Sequence, residues 1–112
     1  MEYLLLVWID RSFDFKSEEA ATLGPDVQAW IQEMDTRGIR RHGSALTPVR
    51  DARTIRVRQG EVVATNGASA ETSEYIAGFD VLECADLNEA IDVASKHPIA
   101  RLGRVELRPF LA

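Results

Sequence analysis

From Glu2 to Ile9 almost every residue is apolar, with no polar alternation. The run is far short of the roughly 20 residues that span a bilayer. It predicts a strand that must be covered on both faces. Helices can cover one face. In a chain of 112 residues the other is most easily covered by a second subunit.

Ser17, followed by Glu18 and Glu19, has the form of a helix N-cap with acids in the first turn. Gly24-Pro25 interrupts that segment, and Pro25 suits the first position of a fresh helix. Val27, Trp30, Ile31 and Met34 then form one apolar stripe, which Gly38 ends. Ile39 to Leu46 predicts a weaker strand closed by Thr47-Pro48. Thr54 to Arg58 and Glu61 to Thr65 predict a hairpin around Gln59-Gly60. Asn66-Gly67 predicts a tight turn in which the amide serves local backbone groups. Ala70 to Tyr75 is expected to be irregular, and Gly78 to Ala85 a strand. Asp86 and Glu89 form a capping box for a helix that buries Leu87, Ala90, Ile91 and Ala94. His97-Pro98 stops it, with His97 expected as a cation at the helix end. Val105 to Phe110 is the last strand, with Val105 and Leu107 facing inward.

The order is β-α-β, a hairpin, then β-α-β. This predicts a single α+β domain over residues 1–112: a ferredoxin-like plait with an inserted β-hairpin. Helices on one side leave a bare sheet face, which pairing of two copies would hide.

Hydrophobic residues make up 46% and charged residues 28%, enough apolar area to offset chain entropy and fold. No membrane segment or signal peptide is recognisable, and the single cysteine, Cys84, suits a reducing compartment. A cytoplasmic protein is expected, with Cys84 as a packed small hydrophobe. The net charge of −5 argues against direct nucleic-acid binding. Arg37, Arg40, Arg41, Arg50, Arg53, Arg56 and Arg58 are nevertheless opposed only by Asp51 within residues 37–60. That local field would face solvent or attract an anionic partner.

The run RVRQGEVVATNGASAET, Arg56 to Thr72, resembles the segment that names the DGPF-motif branch of the YCII-related proteins. The usual pattern there is close to R-V-R-x-G-x-x-x-x-T-D-G-P-F-A-E-T. Gly43 to Pro48 (GSALTP), Gly78-Phe79, Asp86-Leu87 with Glu89-Ala90, and Val105-Glu106-Leu107-Arg108-Pro109 also match. The resemblance implies a ferredoxin-like subunit in a dimeric α/β barrel. Relatives include proteins associated with sigma factors and a few small-molecule enzymes that use a His–Asp pair. Here Asn66 replaces the motif aspartate and Ala68-Ser69 replaces Pro-Phe. An amide cannot act as a general base at neutral pH.

No phosphate-binding glycine loop, HExxH or GxSxG occurs, and His42 and His97 have no metal-ligand spacing. No metal or cofactor is expected. Two residues are candidate catalytic groups. His42 could shuttle protons or simply sit at a strand edge. Asp80 shares a strand face with Leu82 and Cys84, where desolvation would raise its pKa, or it lies solvated at the strand mouth. Asn66, Ser69, Glu71 and Tyr75 could line a polar pocket mouth or satisfy turn backbone. Trp8, Trp30 and Phe79 are expected in the core. Two functions follow. One is a non-catalytic module binding a small anionic or aromatic molecule or a regulatory partner. The alternative is a cofactor-independent lyase or isomerase using one acid–base group.

Overall fold

The computed structural model describes residues 1–68 and 72–111. Strand β1 (Glu2–Asp10) lies between β5 (Glu74–Glu83) and β6 (Arg104–Pro109), and β2 (Arg40–Ala45) forms the other edge beside β5. All three pairings are antiparallel. With α1 (Leu23–Thr36), α2 (Leu87–Ser95) and the short α3 (Ile99–Leu102), this is a mixed α+β arrangement of the ferredoxin-like kind.

The two faces of β1 separate by strand periodicity. Tyr3, Leu5, Val7 and Ile9 are buried on one face, with Trp30 and Met34 of α1 and Ala90, Val93 and Ala94 of α2. Each such aliphatic side chain contributes roughly 1.5–3 kcal/mol. Leu4, Leu6 and Trp8 are half-buried on the other. Their cross-strand partners are Val81, Phe79 and Ile76 on β5, and Arg108, Glu106 and Arg104 on β6.

Several boundaries differ from expectation. Ser17 makes no side-chain cap, and only a 3-10 turn, Glu18–Ala20, follows it. Gly24-Pro25 lies inside α1, which begins at Leu23. In the first turn the missing proline N–H has no intrahelical acceptor to lose. Strand β5 begins at Glu74 rather than Gly78. Tyr75 and Ile76 pair with Ile9 and Trp8 across a bulge.

Asp86 caps α2 by accepting from the Glu89 N–H at 2.8 Å, while the Glu89 carboxylate accepts from the Ala85 N–H. The buried stripe is Ala90, Val93, Ala94 and His97, whereas Leu87 and Ile91 are each about half exposed. His97 is therefore in the core, not at a solvated helix end.

Strands β3 (Arg53–Arg58) and β4 (Glu61–Asn66) form a separate two-stranded sheet. Gln59 and Gly60 join them, both at positive φ, as a tight hairpin turn requires. Ile55, Val57, Val62 and Ala64 share one face of this arm, and the first three are at least half exposed. The arm explains a radius of gyration of 16.0 Å, against about 13 Å for a compact chain of this length. No helix among the described residues is long and apolar enough to cross a membrane.

Gly67 lies at φ +90°, as expected. It extends the hairpin ladder instead of making a turn of its own: its N–H donates to Ala52 O, and its carbonyl accepts from Thr54 Oγ1, both at 2.8 Å. Among the described residues a Cβ at Gly67 would meet no atom within 4 Å. Gly67→Ala should therefore cost only the left-handed backbone penalty, about 1–2 kcal/mol. Equilibrium denaturation will measure it, and an unchanged midpoint would refute the assignment.

Candidate functional site

The core is incomplete beneath α1. Over β2 and β5 the sheet presents Ala45, Ala77 and Gly78, which do not reach the Val27 and Ile31 side chains above them. The result is a cleft of ≈ 680 Å³ lined by these residues with Val7, Ile9 and Ile99. That size suits a small organic ligand. The segment Ser44 to Arg50 closes one side, and Arg11, Phe15 and Arg50 reach it from the exposed rim.

One polar end of the cleft is built around Asp80, which is 5% exposed. Arg40 Nε donates to Asp80 Oδ1 at 2.7 Å, and Arg40 Nη1 donates to Asp35 Oδ1 at 3.3 Å. The register sets Gly43 of β2 directly opposite Asp80. Any Cβ at position 43 would overlap Asp80 Oδ1 and press on Arg40 Nη2. The ion pair thus lies across a glycine that leaves room for it. Burial raises the Asp80 pKa, and the hydrogen bond and charge of Arg40 partly counter that rise. For Arg40, burial opposes the charge, but bonding to Asp80 and Asp35 outweighs it and the guanidinium stays protonated.

His97, also 5% exposed, lines the same cleft. Its Nδ1 accepts from the Ile99 N–H at 3.1 Å, and its ring packs edge-on to Trp30 at 4.7 Å. Burial pushes its pKa down to about 4. The ring is neutral at pH 7 and, with Nδ1 as acceptor, carries its proton on Nε2. This overturns the expected cationic helix-end role. Tyr75 lines this cleft and a second one of ≈ 430 Å³ beside Trp8, Glu74 and Ile76.

Of the sequence candidates, Asp80 and Tyr75 meet in the main cleft. Asp80 is buried, not solvated at a strand mouth. His42 lies on the opposite sheet face, exposed, with its ring 5.6 Å from Phe79. Asn66 is exposed at the end of β4 opposite Arg53. Among the described residues its amide forms no hydrogen bond. Ser69 and Glu71 lie outside the described residues. Trp30 is core as expected. Trp8 and Phe79 are half-buried on the bare sheet face, where Trp8 Nε1 donates to Glu106 at 2.9 Å beneath the Arg104 guanidinium. Cys84 is a buried thiol whose pKa burial raises further, so it is unreactive. Among the described residues no three His, Cys, Asp or Glu side chains converge as metal ligands would.

Arg40 and His97 were the groups missed. Arg40 was one of seven arginines in a charged stretch, with no local sign that it alone turns inward. His97 could have been recognised by extending the stripe 90, 93, 94 by one helical step.

His97 makes stability depend on pH. Its folded-state pKa is about 4, while an unfolded histidine titrates near 6.5. The unfolded chain therefore binds the proton first as pH falls. The stability that depends on a neutral His97 is complete above about pH 6.5 and is lost towards pH 4, by roughly 3 kcal/mol. Asp80 acts in the opposite sense above about pH 3.8, so a paired comparison is needed. Denaturation midpoints of wild type and His97→Asn between pH 4 and 7 should converge at the acid end. Parallel profiles would refute the assignment.

Residues 1–111 match the YCII-related domain family. An uncharacterised protein of Rhizobium meliloti strain 1021 is 32% identical over 114 aligned positions, 98% of this chain and 92% of its own. The fold is similar to that of 5-chloro-2-hydroxyhydroquinone dehydrochlorinase from Burkholderia phenoliruptrix AC1100, solved with 2,5-dihydroxybenzoquinone. That likeness has a TM-score of 0.52 at 11% identity, covering 99% of this chain and 94% of the other. With its match running almost end to end and a relative similar over nearly the whole length, the chain belongs to the YCII-related domain family.

Proposed function

We propose that this protein is a binding module that takes a small molecule into the cleft beneath α1 without a cofactor. The observation that carries this is an apolar cleft of ≈ 680 Å³ with two nearly buried polar side chains in its wall, Asp80 and His97. Interiors are ordinarily packed without such space. The exposed Arg11 and Arg50 at the rim suit a ligand with an anionic group, and the Val27 and Ile31 wall suits an aromatic body.

A non-catalytic role is favoured by the state of the candidate acid–base groups. His42 is on the wrong face, the motif aspartate is Asn66, and Asp80 is tied to Arg40. One observation supports the alternative of a cofactor-independent lyase or isomerase. Asp80, with raised proton affinity, and neutral His97 share a cleft in a fold that also serves a dehydrochlorinase. Turnover of a bound compound would decide for the enzyme.

Small carboxylates and phenols should raise the melting temperature of the wild type. Ile31→Trp, which fills the cleft, should abolish the shift while leaving the circular dichroism spectrum unchanged. No shift by any compound, or equal shifts in the variant, would overturn the proposal.

We also propose that two copies pair through the bare sheet face to form a dimeric α/β barrel. Leu4, Leu6, Trp8, Ile76, Phe79 and Val81 make this face apolar at its centre, between His42 and Ser44 on one edge and Arg104, Glu106 and Arg108 on the other. A stable pairing should bury more than about 1,200 Å². Leu6→Asp should give a folded monomer by light scattering, whereas Leu5→Asp, on the helix-covered face, should unfold the chain. A wild-type monomer at micromolar concentration would refute the dimer.

A further inference from the structure

Asp80 and His97 each keep one hydrogen-bonding position uncommitted. Asp80 Oδ1 is taken by Arg40 Nε, and among the described residues no group donates to Oδ2. His97 Nδ1 is taken by the Ile99 N–H, and among the described residues no acceptor meets Nε2. Neither atom is sealed without a partner, because no buried side-chain nitrogen or oxygen among the described residues lacks one. Both atoms therefore keep some accessible surface, and both side chains line the cleft. One is an acceptor and the other a donor, and each belongs to a residue only 5% exposed.

The two groups have different first partners and different elements behind them. Arg40 holds the Asp80 carboxylate in place across Gly43. The backbone of α3 fixes the imidazole tautomer. A carboxylate oxygen kept in low dielectric gains most from a donor, and an uncommitted imidazole N–H from an oxygen acceptor. A simple anion is disfavoured beside Asp80, since Arg40 already serves two carboxylates, Asp80 and Asp35. Arg11 and Arg50 lie at the rim, and among the described residues neither meets a carboxylate, although Arg11 Nε donates to the Thr72 carbonyl.

We infer that the inner wall of the cleft recognises a ligand hydroxyl, with Asp80 Oδ2 accepting its O–H and His97 Nε2–H donating to an oxygen of the same ligand. The ligand class is a hydroxylated ring, a phenol or an enol, with any anionic group turned toward Arg11 and Arg50. This inference rests on the cleft being a ligand site.

The test uses the whole protein and calorimetric titration with benzoate, the three hydroxybenzoates and the three methoxybenzoates. At least one hydroxybenzoate should bind about ten- to a hundredfold more tightly than benzoate, as for a hydrogen bond to a charged group. The matching methoxybenzoate, which cannot donate, should lose that gain. Asp80→Asn, checked for folding by circular dichroism, should remove the preference for the hydroxybenzoate over benzoate. The methoxy comparison stands on wild type alone should that variant fail to fold. Equal binding of benzoate and every hydroxybenzoate would overturn hydroxyl recognition and leave the binding cleft standing. Failure of every compound, phenol included, to bind would overturn the cleft as a ligand site and this inference with it.

Discussion

The structure depends on the strict separation of the two faces of one central strand. Tyr3, Leu5, Val7 and Ile9 anchor the helices on one side of β1. Leu4, Leu6 and Trp8 project from the other, which no helix covers. Side chains in a strand alternate strictly, so a one-residue slip would exchange the two sets. The pairing with β5 and β6 on either flank fixes that alternation. It thereby sets which residues can form a core, which can line the cleft and which stand on the open side of the sheet.

The cleft is the consequence of a shortage of side-chain volume on half of the sheet. Leucine, valine and tyrosine fill the space over β1. Alanine and glycine leave it open over β2 and β5. A carboxylate placed beside that opening would be costly alone, because burying an unpaired charge in an apolar wall is strongly unfavourable. Arg40 offsets the cost, and Asp35 holds the other side of the guanidinium. The outcome is a charged pair in a cavity wall, instead of a salt bridge on the surface, where it would contribute little.

Much of the architecture was legible in the sequence, because its signals are local. The apolar run of β1, the stripe of α1, the Gln59-Gly60 turn and the Asp86 cap each declare an element within a few residues. The site was legible only in part. Asp80 stood out as a carboxylate on an apolar strand face, and Tyr75 followed closely on the motif segment. The union of Asp80 with Arg40 depends on the β2–β5 register, including the irregularity between Arg40 and His42, which no local pattern encodes. The same irregularity helps to explain why His42 and Arg40 serve opposite faces of the sheet. His97 was misplaced because the face of α2 that packs inward is Ala90, Val93 and Ala94, rotated from the apolar set Leu87, Ala90, Ile91 and Ala94. The cleft itself had no positive signal, since it is made by side chains that are missing.

Gly43 also makes the family's history traceable through a single position. The charged pair needs an arginine at 40, an acid at 80 and the absence of a side chain at 43, and none of the three is useful without the others. Relatives should therefore gain or lose them as a set. A lineage that acquires even an alanine at 43 must displace the Asp80 carboxylate and press on the Phe79 carbonyl of β5. One aligned column would then separate descendants that keep the charged pair from those that have lost it.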